Sequence, residues 1–167
     1  MPPAKNTFTL SSPDIAQGQK VKPAQVFNEF GCTGQNISPA LSWGQAPAGT
    51  KSFAIMVHDP DAPTGSGWWH WIVYDLPGDA TSLPADAGNP AKNLLPKGAI
   101  QGRNDYGVHA YGGPCPPPGP PHRYFFRLHA LKLPKIDVPV EASAALIGFN
   151  VNASTIAVAE IMATYAR

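Results

Sequence analysis

Three compact runs of apolar residues organise the chain. Residues 51–58 read Lys-Ser-Phe-Ala-Ile-Met-Val-His and stop at Asp59-Pro-Asp-Ala-Pro63, where proline removes backbone donors and constrains the residue before it. Residues 68–75, Trp-Trp-His-Trp-Ile-Val-Tyr-Asp, are dense in the aromatic and β-branched side chains that suit a pleated surface, and they stop at Leu76-Pro77-Gly78. Thr64-Gly-Ser-Gly67 between the two runs predicts a turn. The third run, residues 122–131, has a period of two: Tyr124, Phe126, Leu128 and Ala130 fall on one face, and Phe125, Arg127, His129 and Leu131 on the other. Each run is short and bounded by turn residues, so each predicts a core strand.

The remaining segments are less regular. Residues 7–10 alternate weakly and predict a short opening strand. Residues 27–43, rich in Gly and Asn, read as structured loop and edge strand. Residues 79–121 hold few periodic apolar positions and end in a Pro/Gly tract, which predicts an ordered loop too short to join two domains. Small and apolar residues over 141–149 predict the one clear helix, whereas 154–165 fits neither period and is compatible with more helix or a closing strand. No internal repeat is visible.

Composition narrows the class. At 167 residues, 43% of them hydrophobic, the chain is long enough for a substantial core, and one domain over 1–167 is the expectation. The 16 Gly and 20 Pro favour many short strands over long helices. A formal net charge of +1 offers no basic field for nucleic acid or an anionic membrane surface. The first eight residues lack an apolar signal core, and no run approaches the roughly 20 apolar residues of a transmembrane segment, so a cytoplasmic location is expected. Cys32 and Cys115 fit no metal spacing and read as two reduced thiols; a single bridge between them is the alternative if the protein is exported.

The candidate chemistry gathers at strand ends: Asp59 and Asp61 after the first, His70 at the start of the second and His122 at the start of the third. Antiparallel pairing brings one strand's end beside the next strand's start, so these residues are expected to share a site. Two imidazoles donating to a phosphoryl or carboxylate oxygen, with N–H groups near Gly112 and Gly113 on the opposite wall, would hold an anion without a basic patch. Asp59 would then orient and charge a histidine, or accept from a ligand amine. Taken singly, His58 and His129 read as packing residues, and His109 as a loop position. Phosphate-loop, dinucleotide and nucleophile-elbow motifs are absent from the sequence. Two alternatives stay open: an enzyme using Asp59 and His122 as an acid/base pair on a phosphorylated or carboxylated substrate, and a metal site on two histidines and a carboxylate.

In order along the chain, Phe30-Gly-Cys-Thr-Gly-Gln-Asn-Ile-Ser-Pro-Ala-Leu-Ser-Trp43, Asp59-Pro-Asp-Ala-Pro63, Pro63-Thr-Gly-Ser-Gly-Trp68, Trp68-Trp-His-Trp71, Pro116-Pro117 and Gly119 before His122-Arg-Tyr124, and Ile147-Gly-Phe-Asn150 resemble the phosphatidylethanolamine-binding protein family, in its bacterial and archaeal branch. The resemblance runs from about Phe8 to the C-terminus. It implies a mainly β fold: a Greek-key β-sandwich of two antiparallel sheets with a short helix near the C-terminus. It also implies a pocket for phosphate, acetate or phospholipid head groups, without a cofactor and without a reaction general to the family. Carried over by position, the ligand-binding residues are Asp59, Trp68, His70, Gly113, Pro116, Pro117, His122 and Tyr124, with Asp61 supporting the first loop and Tyr111 at the edge. Regulation of a kinase or protease partner and homodimer formation follow by analogy. Cys115 stands where eukaryotic relatives carry glycine.

Overall fold

The computed structural model describes residues 8–167. Residues 1–7, Thr7 of the expected opening strand among them, lie outside the described residues; the opening strand itself is β1 (Thr9–Ser11). It pairs with β2 (Leu41–Gly44), which pairs on its other side with β5 (Ser82–Leu83), so β2 is the centre of a small antiparallel sheet and not an edge strand. The reason is that the segment 79–121, read as loop, contributes β5, a 3-10 turn at Pro90–Lys92 and β6 (Ile100–Gln101), each too short to show a period.

The three apolar runs form β3 (Ser52–Asp59), β4 (Trp68–Pro77) and β7 (His122–Leu131). With β6 and β8 (Thr155–Tyr165) they make an antiparallel sheet in the order β6-β4-β3-β7-β8. The chain leaves β4, crosses by way of the small sheet and returns on the far side of β3 as β7. Helix α1 (Ala144–Ser154) covers the opposite face. Ser143 caps it, its Oγ accepting from Leu146 N at 3.1 Å. Of the two readings of residues 154–165, the strand holds, because β7 supplies a full antiparallel partner from His122↔Tyr165 to Leu131↔Thr155.

Both faces of the large sheet are covered, which explains why β3 is hydrophobic throughout instead of alternating. Phe53, Ile55 and Val57 pack with Trp71, Val73, Phe126 and Leu128 against Leu41, Trp43 and Leu83 of the small sheet. Ala54 and Met56 face the other way, with Ile72, Tyr74 and Leu131, onto Ile147 and Val151 of α1. A third cluster gathers Val21, Val26, Phe27, Cys32 and Ala163 beside the strand ends that carry the chemistry.

That cluster overturns the expectation of two reduced thiols. Cys32 and Cys115 form a disulfide between residues 83 positions apart, with Cα atoms 6.0 Å from one another. The pairing is made by tertiary packing: Phe27 N donates to Pro114 O at 3.0 Å, laying the 26–34 segment along the Pro/Gly tract. Cysteine spacing carries no trace of this contact.

Candidate functional site

The register of the central strands assembles the site. Asp59, the last residue of β3, stands opposite Trp68, the first of β4, while His58 pairs with Phe125 near the start of β7. Between Val57↔Trp71 and His58↔Trp69 the register slips by one residue, and the unpaired extra residue is His70. Simple alternation would turn His70 to the α1 side with Ile72. The bulge sends it to the other side, where its ring meets Tyr124 edge-on at 5.2 Å and Tyr106 at 5.8 Å.

The result is a cavity of about 240 Å³ at the end of the sandwich. Asp59, Trp68, His70, Pro116, Pro117, His122 and Tyr124 line it, as do Phe30, Tyr106 and Cys115. Two residues expected at the cavity, Tyr111 and Gly113, are not among its lining, whereas Asp61, expected to support the first loop, does so by pairing with Arg123. Tyr111 is buried in the main core, its OH donating to Gln25 O at 2.7 Å. Gly113 sits behind the wall. Asp61 points away and takes a forked pair from Arg123, with Nη2 at 2.9 Å and Nε at 3.0 Å; the guanidinium's hydrogen bonds hold its carboxyl down to about 2.

The amide wall expected near Gly112 and Gly113 is also absent from the cavity. Gly112 N donates to His70 O at 2.9 Å, and Gly113 N to Asn36 Oδ1 at 2.7 Å, so both donors are already used. Tyr106 is the residue that sequence reasoning missed. It stacks on Phe27 at 4.0 Å and donates from its OH to Gly113 O at 2.9 Å, forming the wall that the glycines were expected to make. Its only signal was an aromatic side chain inside the turn sequence Asn104-Asp-Tyr-Gly107.

Two histidines of unlike environment face this space. His122 Nδ1 lies 2.7 Å from Asp59 Oδ2, and Asp59 Oδ1 accepts from Asp61 N at 2.8 Å, so the carboxylate is held from both sides and itself holds the imidazole. His70 Nδ1 lies 2.8 Å from Gly112 O. A carbonyl only accepts, so Nδ1 carries the proton. Burial pushes the His70 pKa down to about 4. Its Nε2, the indole Nε1 of Trp68 and the hydroxyl of Tyr124 are all buried without a hydrogen-bond partner, which is uncommon for interior polar atoms. Among the described residues, no group of three His, Cys, Asp or Glu side chains converges to hold a metal ion.

The other histidines have partners of their own. His58 donates from Nε2 to Ser66 O at 2.9 Å and stacks on Trp69. His109, in its loop, is tied to Gln101 O and Glu141. His129 is buried beside Thr155, and desolvation, aided by Arg127, pushes its pKa down to about 4. His70 and His129 therefore make stability pH-dependent. The unfolded chain takes up both protons near pH 6.5, whereas the folded chain resists until about pH 4. The stabilisation is complete above pH 6.5 and is lost as pH falls through this window. Urea unfolding between pH 7 and 4.5 should show this decline, and His129→Leu should reduce its slope by up to about 1.4 kcal/mol per pH unit; an unchanged slope would contradict the assignment.

A family model described as phosphatidylethanolamine-binding protein matches residues 11–166. YbcL of Escherichia coli K12 is 52% identical over 159 residues, covering 95% of this chain and 87% of YbcL. YbhB of the same organism is 48% identical over 156 residues, covering 93% and 98%. The crystal structure of YbcL, described as a new member of the mammalian PEBP family, superimposes with a TM-score of 0.94 at 51% identity, covering 96% of this chain and 99% of that one. At 37% identity, over 86% of this chain and 67% of the relative, the similarity extends to a Mycobacterium tuberculosis protein named as a lipoprotein, LppC.

Proposed function

We propose, from the premise that this chain belongs to the phosphatidylethanolamine-binding protein family, that its cavity captures a small oxyanion such as phosphate, acetate or the head group of a phospholipid. The observation that carries the reading is that three residues lining one cavity, Trp68, His70 and Tyr124, each carry a buried polar atom without a hydrogen-bond partner, beside the Asp59–His122 pair that also lines it. A ligand oxygen accepting from the indole N–H removes one of these deficits. The apolar walls from Phe30, Pro116 and Pro117 exclude water and strengthen each remaining contact.

By this reading the protein is a binding or regulatory module that presents or withholds the loaded site to a protein partner such as a kinase or protease. It acts as a homodimer, for which Leu146 and Phe149, exposed and three residues apart on α1, supply an apolar face. No helix among the described residues is long and apolar enough to cross a membrane. The disulfide argues for an oxidising compartment over the cytoplasm, since such bridges are rare where thiols are kept reduced.

The test is a titration with phosphate, acetate and phosphoethanolamine, followed through the side-chain resonances of the histidines. Both His70 and His122 should shift, and Asp59→Asn should weaken binding at least tenfold by loosening His122. Silence from both histidines across the ligands would end the proposal.

The hydrogen bond of 2.7 Å between Asp59 and His122 also favours a second reading, as an acid/base pair acting on a bound phosphorylated or carboxylated substrate. Turnover that survives both Asp59→Asn and His122→Ala would remove it.

A further inference from the structure

The polarity of the cavity wall says more than that an anion fits. The hydrogen on His70 Nδ1 is committed to Gly112 O, 2.8 Å away. His70 lines the cavity, and its remaining ring nitrogen, Nε2, is in the neutral imidazole a lone pair. It is buried and unpartnered. Deep burial keeps the ring neutral, with its pKa pushed down to about 4. A fully deprotonated oxyanion offers only lone pairs, so against His70 it would set acceptor against acceptor. The Trp68 indole is a donor only, and the Tyr124 hydroxyl can take either role. Asp59 is itself buried, 3% exposed, and opposes a second negative charge in the cavity.

We infer, on the basis of the oxyanion reading above, that the preferred occupant is a phosphomonoester in its singly protonated form: its P–O–H donates to His70 Nε2 while its other oxygens accept from Trp68 Nε1 and Tyr124. The cavity is thus specific for an oxyanion that keeps one proton, and His70 determines that specificity. A phosphodiester, the linkage of an intact diacyl lipid head group, has no such proton and leaves the buried Nε2 unmet. A site built to hydrogen-bond a ligand O–H rejects the analogue that lacks it, because its own polar atom is then stranded.

The ionisable groups facing His70 are consistent with this. From β3 come Asp59 and His58, from β7 Tyr124, and from the 102–113 loop Tyr106. Burial raises the pKa of both tyrosines well beyond the ordinary range, so they stay neutral. Asp59 acts on His70 through space only, its two oxygens being held by His122 Nδ1 and Asp61 N.

Methyl phosphate and methyl sulfate make the test sharp. Below pH 6 they share shape and charge, and differ in the single proton. Calorimetric titration of the wild-type protein at pH 5.5 should show methyl phosphate binding at least tenfold more tightly than methyl sulfate or dimethyl phosphate. As the ligand loses its second proton, with a pKa of about 6, methyl phosphate should weaken on the order of 50-fold by pH 8. In the complex, the nitrogen resonance of His70 Nε2 should remain that of an unprotonated, hydrogen-bonded acceptor. Methyl sulfate or dimethyl phosphate binding as tightly as methyl phosphate would overturn the inference and leave the oxyanion pocket standing, as would a protonated Nε2 in the complex. Failure of all three ligands to bind would remove the pocket reading and this inference with it.

Discussion

Replacing Cys32 and Cys115 together with alanine should lower the unfolding free energy by about 4 kcal/mol, one of the two largest effects expected from any small change to this protein. The bridge closes a loop between residues 83 positions apart. Removing it returns that loop's conformational freedom to the unfolded chain, a term that grows with loop length and reaches about 4–5 kcal/mol for loops on the order of 100 residues. The native state loses as well. Phe30, 69% exposed and held with φ +55°, is carried on the segment that the bridge ties down, and it forms one wall of the cavity. Guanidinium unfolding of the wild type with and without a thiol reductant reads the same quantity without mutation. Coincident curves would show that the bridge contributes nothing, and weaker oxyanion binding in the reduced protein would report the freed wall.

The second large effect is expected from Gly113→Ala, at about 3 kcal/mol or more. A methyl group at this position would fall on the carbonyl oxygen of Gln25, with Phe27 N 2.8 Å and Val26 C 2.9 Å away. All of these are backbone atoms, so nothing can rotate aside, and relief requires the 25–27 segment to move off the Pro/Gly tract. That movement would strain the disulfide and displace Phe30 and Tyr106 from the cavity. Gly44→Ala is the control: it adds the same methyl group in a strand where nothing lies within 4 Å, and it should stay within about 0.5 kcal/mol of the wild type. If Gly113→Ala kept full stability but lost ligand affinity, the glycine would belong to the binding surface after all.

That distinction shows where motif reading and structure part company. Gly113 and Tyr111 stand beside the pocket residues in sequence, yet each has a packing role that keeps it off the cavity wall, while Asp61 keeps the loop-supporting role its position implies. Gly113 permits two backbones to meet, Tyr111 anchors the core through Gln25 O, and Asp61 pairs with Arg123. Tyr106 had no motif to announce it and lines the cavity because its loop folds over Phe27.

What the sequence determined by itself was the set of strong strands and the gathering of Asp59, His70 and His122 at their ends. Those features are local: an apolar run stopped by proline is a strand wherever it is placed, and antiparallel neighbours meet end to start. The alternation of β7 was equally legible, since one face carries the inter-sheet core.

Tertiary structure decided everything that depends on distant partners. The strand at 155–165 exists because β7 offers it an edge, although its own pattern is ambiguous. The direction of His70 is set by a one-residue bulge against β3, which no periodicity encodes. The disulfide and the cavity wall arise where residues 25–34 are laid along residues 113–117. Such contacts form between segments some 80 residues apart, and the free energy that joins them comes from burial and backbone hydrogen bonds that neither segment possesses alone.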